Sequence, residues 1–257
     1  MFTAPRNEQS LIRQGKQFVN PQTSITTSIM QPYFFPYLGY WQLMNRVEKF
    51  VIYDDIEFSK SSWIHRNRYG RNGKAQMFTL PLRSDSDFLD IRDRELSDSW
   101  GQEKLKIRRK LEGAYRHAPY FSEGMDVFDE CVSFAGTNLF GFVANSIKVV
   151  AKRLELEAEL LVASEVGYTK NLRGQERVIS LCQKLEAKQY LNPIGGLGLY
   201  DPARFRREGI ELKFNSGETS SYDQMSSQFV PNLSVLDSLM FVGTKNVRDS
   251  VKKPQGD

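Results

Sequence analysis

The densest run of reactive side chains in the sequence is DDIEFSKSSWIHRNRYGRNGK, Asp54–Lys74. Asp54 and Asp55, paired at the end of an apolar run, are suited to holding Mg²⁺, orienting a ribose or taking a proton. Beyond them Lys60, Arg66, Arg68 and Lys74 offer forks and point charges for phosphate or carboxylate. Trp63 and Tyr69 offer stacking faces, and Asn67 places an amide between two arginines. Arg66, flanked by Trp63 and Asn67, suits a planar anion better than a core. The plainer reading of the same run is a solvated basic loop.

A second group is QPYFFPYLGY, Gln31–Tyr40, where Tyr33, Tyr37 and Tyr40 bring three hydroxyls close together and Gly39 lets backbone approach a ligand. Its alternative is a proline-stiffened aromatic corner that packs the core. A third, NPIGGLGLY (Asn192–Tyr200), has glycines that can form an anion-binding nest or simply a strand-to-helix turn. It does not fit G-x-G-x-x-G, and the chain has no P-loop. In SYDQMSSQFVPNLSVLDSLMF, Tyr222 and Gln224 stand among apolar anchors, and Ser234 with Asp237 reads as a structural capping box. His65 and His117 are the only imidazoles, which excludes a histidine-rich metal site. His117, at a helix end, either joins the chemistry or complements the helix dipole.

The elements that position these groups follow from pattern. ITTSIMQ (Ile25–Gln31) is β-branched and stops at Pro32, so a strand gives way to a loop. Leu38, Trp41, Leu43, Met44 and Val47 recur near helical spacing, and FVIYDDIEF is an apolar strand. Together they have the size of a βαβ unit, for which a parallel pairing is expected. Ser59–Lys74 reads as a loop and Gln76–Leu82 as a strand. Helices are predicted at Trp100–Tyr115, Phe121–Phe134 and Leu139–Leu156, forming a helical layer or cap. Glu159–Val166 is a predicted strand, Arg173–Ala187 a helix and Lys188–Ile194 a strand. A short helix, a strand at Ile210–Asn215 and a last helix at Ser234–Gly243 follow. The alternation predicts an α/β, Rossmann-like, mainly parallel sheet flanked by helices.

Among the 257 residues, 40% are apolar and 26% charged, ordinary for a globular chain with a real core. The net charge of +4 suits phosphate-bearing partners but is too small to argue for nucleic acid. Cys131 and Cys182 are too few for a zinc set or disulfide framework and read as reduced core residues. No run approaches the roughly 18 apolar residues of a membrane span, and the first residues lack a secretory apolar core. The expected organisation is a flexible leader at 1–24, one domain at 25–248 and a flexible tail at 249–257, in the cytoplasm.

The order of QPYFFPYLGY, D-D-x-x-F-S-K-x-x-W-x-x-R-N-R and T-L-P-L resembles the WbqC-like family. YRHAPYF, the Glu176–Arg177 pair, Tyr190 and Y-D-Q…F-x-P-x-L-S-x-L-D are similar too, so the resemblance covers about Ile25 to Gly243. His65 stands where the family has an amide residue, and the Asn192–Gly196 turn departs from the family's Ser-Gly form. The resemblance implies a role with bacterial surface polysaccharide (O-antigen, lipopolysaccharide): transfer of an aminoacyl group, glycyl among the candidates, to an amino sugar. The Y-x-G-Y unit of P-Y-L-G-Y also occupies the position of H-x-G-H in nucleotidyltransferases and adenylate-forming ligases, an analogy of fold and place that suggests ATP with Mg²⁺.

On this reading Tyr37, Gly39 and Tyr40 line a nucleotide phosphate site, with Gln31 and Tyr33 beside them. Asp54 or Asp55 holds Mg²⁺ or accepts the amine proton. Arg66, Arg68 and Lys60 bind phosphate or carboxylate. Trp63, Asn67, Tyr222 and Gln224 complete the substrate side, and His117 joins Asp54, Asp55 and Arg66 in the catalytic set. The partner is an amino-sugar nucleotide or lipid-linked sugar, with an aminoacyl-tRNA donor left open. The alternatives are a nucleotidyltransferase and a non-catalytic protein that binds a sugar nucleotide or RNA.

Overall fold

The computed structural model describes residues 24–169, 171–217 and 220–253. Residues 1–23 of the expected leader, and 254–257 of the expected tail, lie outside the described residues. Five strands, β1 (Thr26–Met30), β2 (Lys49–Ile52), β5 (Glu159–Val162), β6 (Gln189–Pro193) and β7 (Glu211–Asn215), form a parallel sheet in the order β5-β2-β1-β6-β7. A separate antiparallel hairpin joins β3 (Arg66–Arg71) to β4 (Lys74–Thr79). The helices are α1 (Leu38–Asn45), α2 (Trp100–Tyr115), α3 (Phe121–Val132), α4 (Leu139–Arg153), α5 (Ala163–Val166), α6 (Gly174–Lys184), α7 (Pro202–Arg207) and α8 (Val235–Lys252).

The sheet is sealed on both faces because successive side chains of each strand point opposite ways. From β2, Phe50 and Ile52 enter the larger core, with α1, α2, α3, α4 and α8. Val51 enters a smaller core on the other face, with Ile29, Tyr190 and residues of α6 and α7. Continuous apolar runs such as KFVI are what a strand covered on both faces requires. Cys131 lies in the first core and Cys182 in the second, both as buried free thiols whose burial raises their pKa.

The expected parallel β1–α1–β2 unit is present, with Thr27–Met30 in register with Lys49–Ile52. The helical layer from Trp100 onward is also present, as α2, α3 and α4. Three expectations need correction. The Ser59–Lys74 loop contains β3, whose turn at Asn72 (φ 52°) and Gly73 (φ 68°) needs two left-handed residues. The strand at Glu159–Val166 ends at Val162, and Ala163–Val166 are helical. The last helix runs to Lys252, kinked at Gly243, so residues 249–252 are helical rather than part of a loose tail. No helix among the described residues is long and apolar enough to cross a membrane.

The sheet order reverses between β1 and β6, the place where open α/β sheets bind ligands. These two strands pair only at Thr26–Gln189 and Thr27–Tyr190. Beyond that pairing they part, and the gap opens at their carboxyl ends.

Candidate active site

The segment after β1 is shaped by two buried phenylalanines. Phe34 and Phe35 are fully buried, against each other and against Phe78, Phe128 and Phe142. Phe35 holds φ at 48°, a costly conformation for a bulky residue. Asn67, on β3, holds it there: its Nδ2 donates to the Phe34 and Phe35 carbonyl oxygens at 2.8 and 2.7 Å. The Phe34 N–H donates to the Trp63 carbonyl at 3.0 Å, tying in the neighbouring loop. Tyr33 and Tyr37 are left partly exposed, facing the gap between β1 and β6. A Cβ on Gly39 would lie 2.5 Å from the Tyr37 ring, so only glycine lets that ring fold over α1.

The gap is a cavity of about 680 Å³. Its aromatic wall comprises Tyr33, Tyr37, Tyr53, Trp63 and Tyr200, and its amides are Gln31, Asn67, Asn192, Asn215 and Asn232. Arg68 is the only charged side chain lining it among the described residues, and no Asp, Glu, Lys, His or Cys lines it. The Arg68 guanidinium sits 5.4 Å from the centre of the Trp63 ring, and its Nη2 donates to the Asn232 carbonyl at 2.9 Å. Its Nε is buried without a partner, so part of the fork is unused by the protein. Burial raises the pKa of Tyr33, Tyr37 and Tyr53, keeping all three phenols protonated at neutral pH. The wall therefore offers donors, acceptors and ring faces around one fixed positive charge.

Of the residues singled out from the sequence, Gln31, Tyr33, Tyr37, Gly39, Trp63, Asn67 and Arg68 line this cavity. The other expected residues do not. Tyr40 is 1% exposed, packed on Trp41 and Phe50, and its hydroxyl donates to the Gln31 carbonyl. It belongs to the core, so the Y-x-G-Y unit keeps only its first tyrosine in the site. Asp54 turns to the other side of the strand end, where its oxygens accept from the Ser164 N–H at 3.0 Å and hydroxyl at 2.6 Å, capping α5. Asp55 accepts from the Tyr168 hydroxyl and lies 4.0 Å from Arg177. Neither carboxylate lines the cavity, and no group of three or more His, Cys, Asp or Glu residues among the described residues could hold a metal ion. Turned away from the cavity, the pair is not placed to hold Mg²⁺ on a ligand bound there.

Arg66 donates to the Ser61 and Ser62 carbonyls, clamping the loop that carries Trp63. Lys60 is exposed and paired with Asp87. His117 lies on a second cavity of about 480 Å³, near Gln224 and the β3–β4 turn. Its Nε2 accepts from Arg116. Tyr222 and Gln224 both donate to Asp237, whose other oxygen accepts from Tyr115. Asp237 therefore serves as a buried junction, while Ser234 alone caps α8 through the Leu236 N–H.

Tyr53, Asn215 and Asn232 are lining residues that pattern reasoning missed, while Asn192 and Tyr200 bound the NPIGGLGLY segment that it singled out only for its glycines. A signal existed for three of them. Tyr53, Asn192 and Asn215 stand at the carboxyl ends of parallel strands, where ligands are bound.

A sequence model of the WbqC-like protein family matches residues 31–249. Uncharacterized protein Rv1507c of Mycobacterium tuberculosis is 27% identical over 220 residues, covering 85% of this chain and 94% of that protein. No solved structure matches the chain.

Proposed function

The chain belongs to the WbqC-like protein family, and from that premise we propose that the cavity binds an amino sugar linked through phosphate to a nucleotide or a lipid. The protein is then an N-acyltransferase that forms an amide on the sugar amine, with aminoacyl and glycyl groups as its candidate cargo. The observation that carries this reading is the composition of the cavity: amides and phenols for sugar hydroxyls, rings for stacking, and Arg68 as the single counter-charge for phosphate.

The same composition favours acylation of an amine. Beside Arg68, and with no carboxylate in the wall among the described residues, an ammonium is disfavoured and the free amine is the better guest. Its nitrogen attacks the acyl carbonyl, the bond to the leaving group breaks, and the amine proton departs with the leaving group or to water. Arg68 is the cation that would face the developing oxyanion. The acyl donor must arrive activated. ATP with Mg²⁺ is one activating reagent, but Asp54 and Asp55 lie outside the cavity lining, so no step is assigned to it.

A second reading rests on one observation, that among the described residues the cavity wall has no side chain suited to proton transfer near neutral pH. On that reading the protein binds the sugar phosphate without turnover. One experiment separates the two. Calorimetry and thermal shift with uridine- and thymidine-diphosphate sugars, ATP and acetyl-CoA identify the ligand. Mass spectrometry of an amino-sugar nucleotide incubated with activated acyl donors then detects transfer. Binding of the sugar phosphate followed by a mass gain is expected. Binding without any mass gain supports the non-catalytic reading, and failure of every sugar phosphate to bind overturns both.

A further inference from the structure

The turn Ile194–Leu199, which follows β6, carries three large aliphatic side chains in six residues. Ile194 is 51%, Leu197 54% and Leu199 69% exposed. Single exposed aliphatics are ordinary, whereas three in one short turn form a patch. The turn cannot shelter them itself, since Gly195, Gly196 and Gly198 stand between them and a Cβ on Gly195 or Gly198 would meet nothing within 4 Å. Ile194 and Leu199 also line the cavity, so two of the three exposed aliphatic side chains border its mouth.

A ligand whose sugar fills the amide-lined cavity and whose phosphate sits at Arg68 has a remaining part that must leave past the wall. Across this turn a nucleoside would lay ribose hydroxyls and base-edge groups on aliphatic side chains, which offer them no partner. A hydrocarbon chain would meet them with matching surface and remove both from water. Resting on the sugar-phosphate reading above, we infer that the substrate is lipid-linked: a sugar joined through phosphate to a long-chain alcohol. Its head occupies the cavity, and the first part of its chain lies on Ile194, Leu197 and Leu199. The protein then meets its substrate at a bilayer surface, through a few aliphatic contacts that depend on the ligand.

The test compares two ligands with the same head and different tails. Polyprenyl-diphosphate-linked glucosamine is presented in phosphatidylcholine vesicles, and uridine-diphosphate glucosamine in solution. Co-sedimentation and calorimetry are run on the full chain, on Leu197→Ser, and on Leu105→Ser as an exposed leucine on α2 away from the turn. Circular dichroism melts verify that each variant is folded. The expected result is affinity for the lipid-linked sugar roughly tenfold or more above that for the nucleotide-linked one, with little binding to plain vesicles. Leu197→Ser should lower lipid-linked binding several-fold, and Leu105→Ser should not. Equal affinity for the two ligands, untouched by Leu197→Ser, overturns the inference and leaves the sugar-phosphate cavity standing. Equal binding to plain vesicles overturns it in favour of general adhesion. A dimer in sedimentation velocity that Leu197→Ser dissociates overturns it in favour of a contact between copies. If neither ligand binds, the sugar-phosphate reading falls as well.

Discussion

Asn67 donates to the carbonyl oxygen of Phe35 at 2.7 Å, across 32 residues of chain, and thereby holds a bulky residue at φ 48°. The same amide nitrogen holds Phe34 at 2.8 Å. Asn67→Ala leaves two buried carbonyls without their donor and should cost about 2–4 kcal/mol of stability. That corresponds to a fall of roughly 5–15 °C in melting temperature for a chain of this size. Asn67→Asp should be at least as damaging, because a carboxylate cannot donate. Thermal and urea melts measure this, and a wild-type melt for either variant would remove Asn67 as the holder of the segment.

Arg68 is the one charge in the cavity wall among the described residues, which also leave its buried Nε without a partner. Arg68→Ala should weaken sugar-phosphate binding by about ten- to a hundredfold, the loss of a charge-assisted hydrogen bond worth roughly 1.5–3 kcal/mol. Arg68→Lys should restore only part of it, since an ammonium lacks the planar fork. Arg66→Ala should behave differently: it frees the Ser61 and Ser62 carbonyls, so the melting temperature falls while affinity drops less than for Arg68→Ala. Calorimetry and melts on the three variants side by side decide it. Equal affinity losses at both positions would put Arg66 back among the binding groups.

Asp54 serves Ser164 and α5. Asp54→Ala should lower stability by about 1–2 kcal/mol, the usual cost of a lost cap, and leave ligand affinity within about twofold. A variant that melts normally but no longer binds would mean that Asp54 reaches the ligand after all.

His65 is buried between Arg66 and Arg94. Burial first, and then those two charges, lowers its pKa from 6.5 to about 4. The unfolded chain takes up the proton near pH 6.5 and the folded chain only near pH 4. The stability contributed by the neutral ring is therefore complete above about pH 6.5 and is lost as the pH falls towards 4, by up to about 3 kcal/mol. His65→Gln replaces the ring with an amide that does not titrate and should flatten this acid limb. Urea melts from pH 7 to 4 measure it, and parallel limbs for wild type and variant would contradict it.

How far the sequence could be read depended on whether a single period decided each feature. The βαβ entry and the helices α2, α3 and α4 were legible because strand end, loop and helix each follow one local rule. Tyr37 and Tyr40 were not separable, because every residue from Leu38 to Met44 is buried and α1 has no polar face to set its phase. Asp54 and Asp55 looked like a site because alternation at a strand end hides where the chain goes next. Here it turns towards α5, away from the gap between β1 and β6. The Asn72–Gly73 turn, a strong hairpin signal, was masked by the cations around it. Asn192 and Asn215 come from strands distant in sequence and become neighbours of Tyr53 only when the sheet closes.

Among the described residues, no side chain of the cavity wall is one that titrates near neutrality, so near pH 7 the wall is a spectator in the titration of its complex. What changes with pH is then the guest. A phosphate monoester, with its second ionisation near pH ~6, would bind with a step at that pH, whereas a diphosphate diester would bind with none. An amine would add an inflection of its own, displaced downward by Arg68. The pH profile of affinity thus becomes an assay for the chemical identity of the occupant, readable before its structure is known.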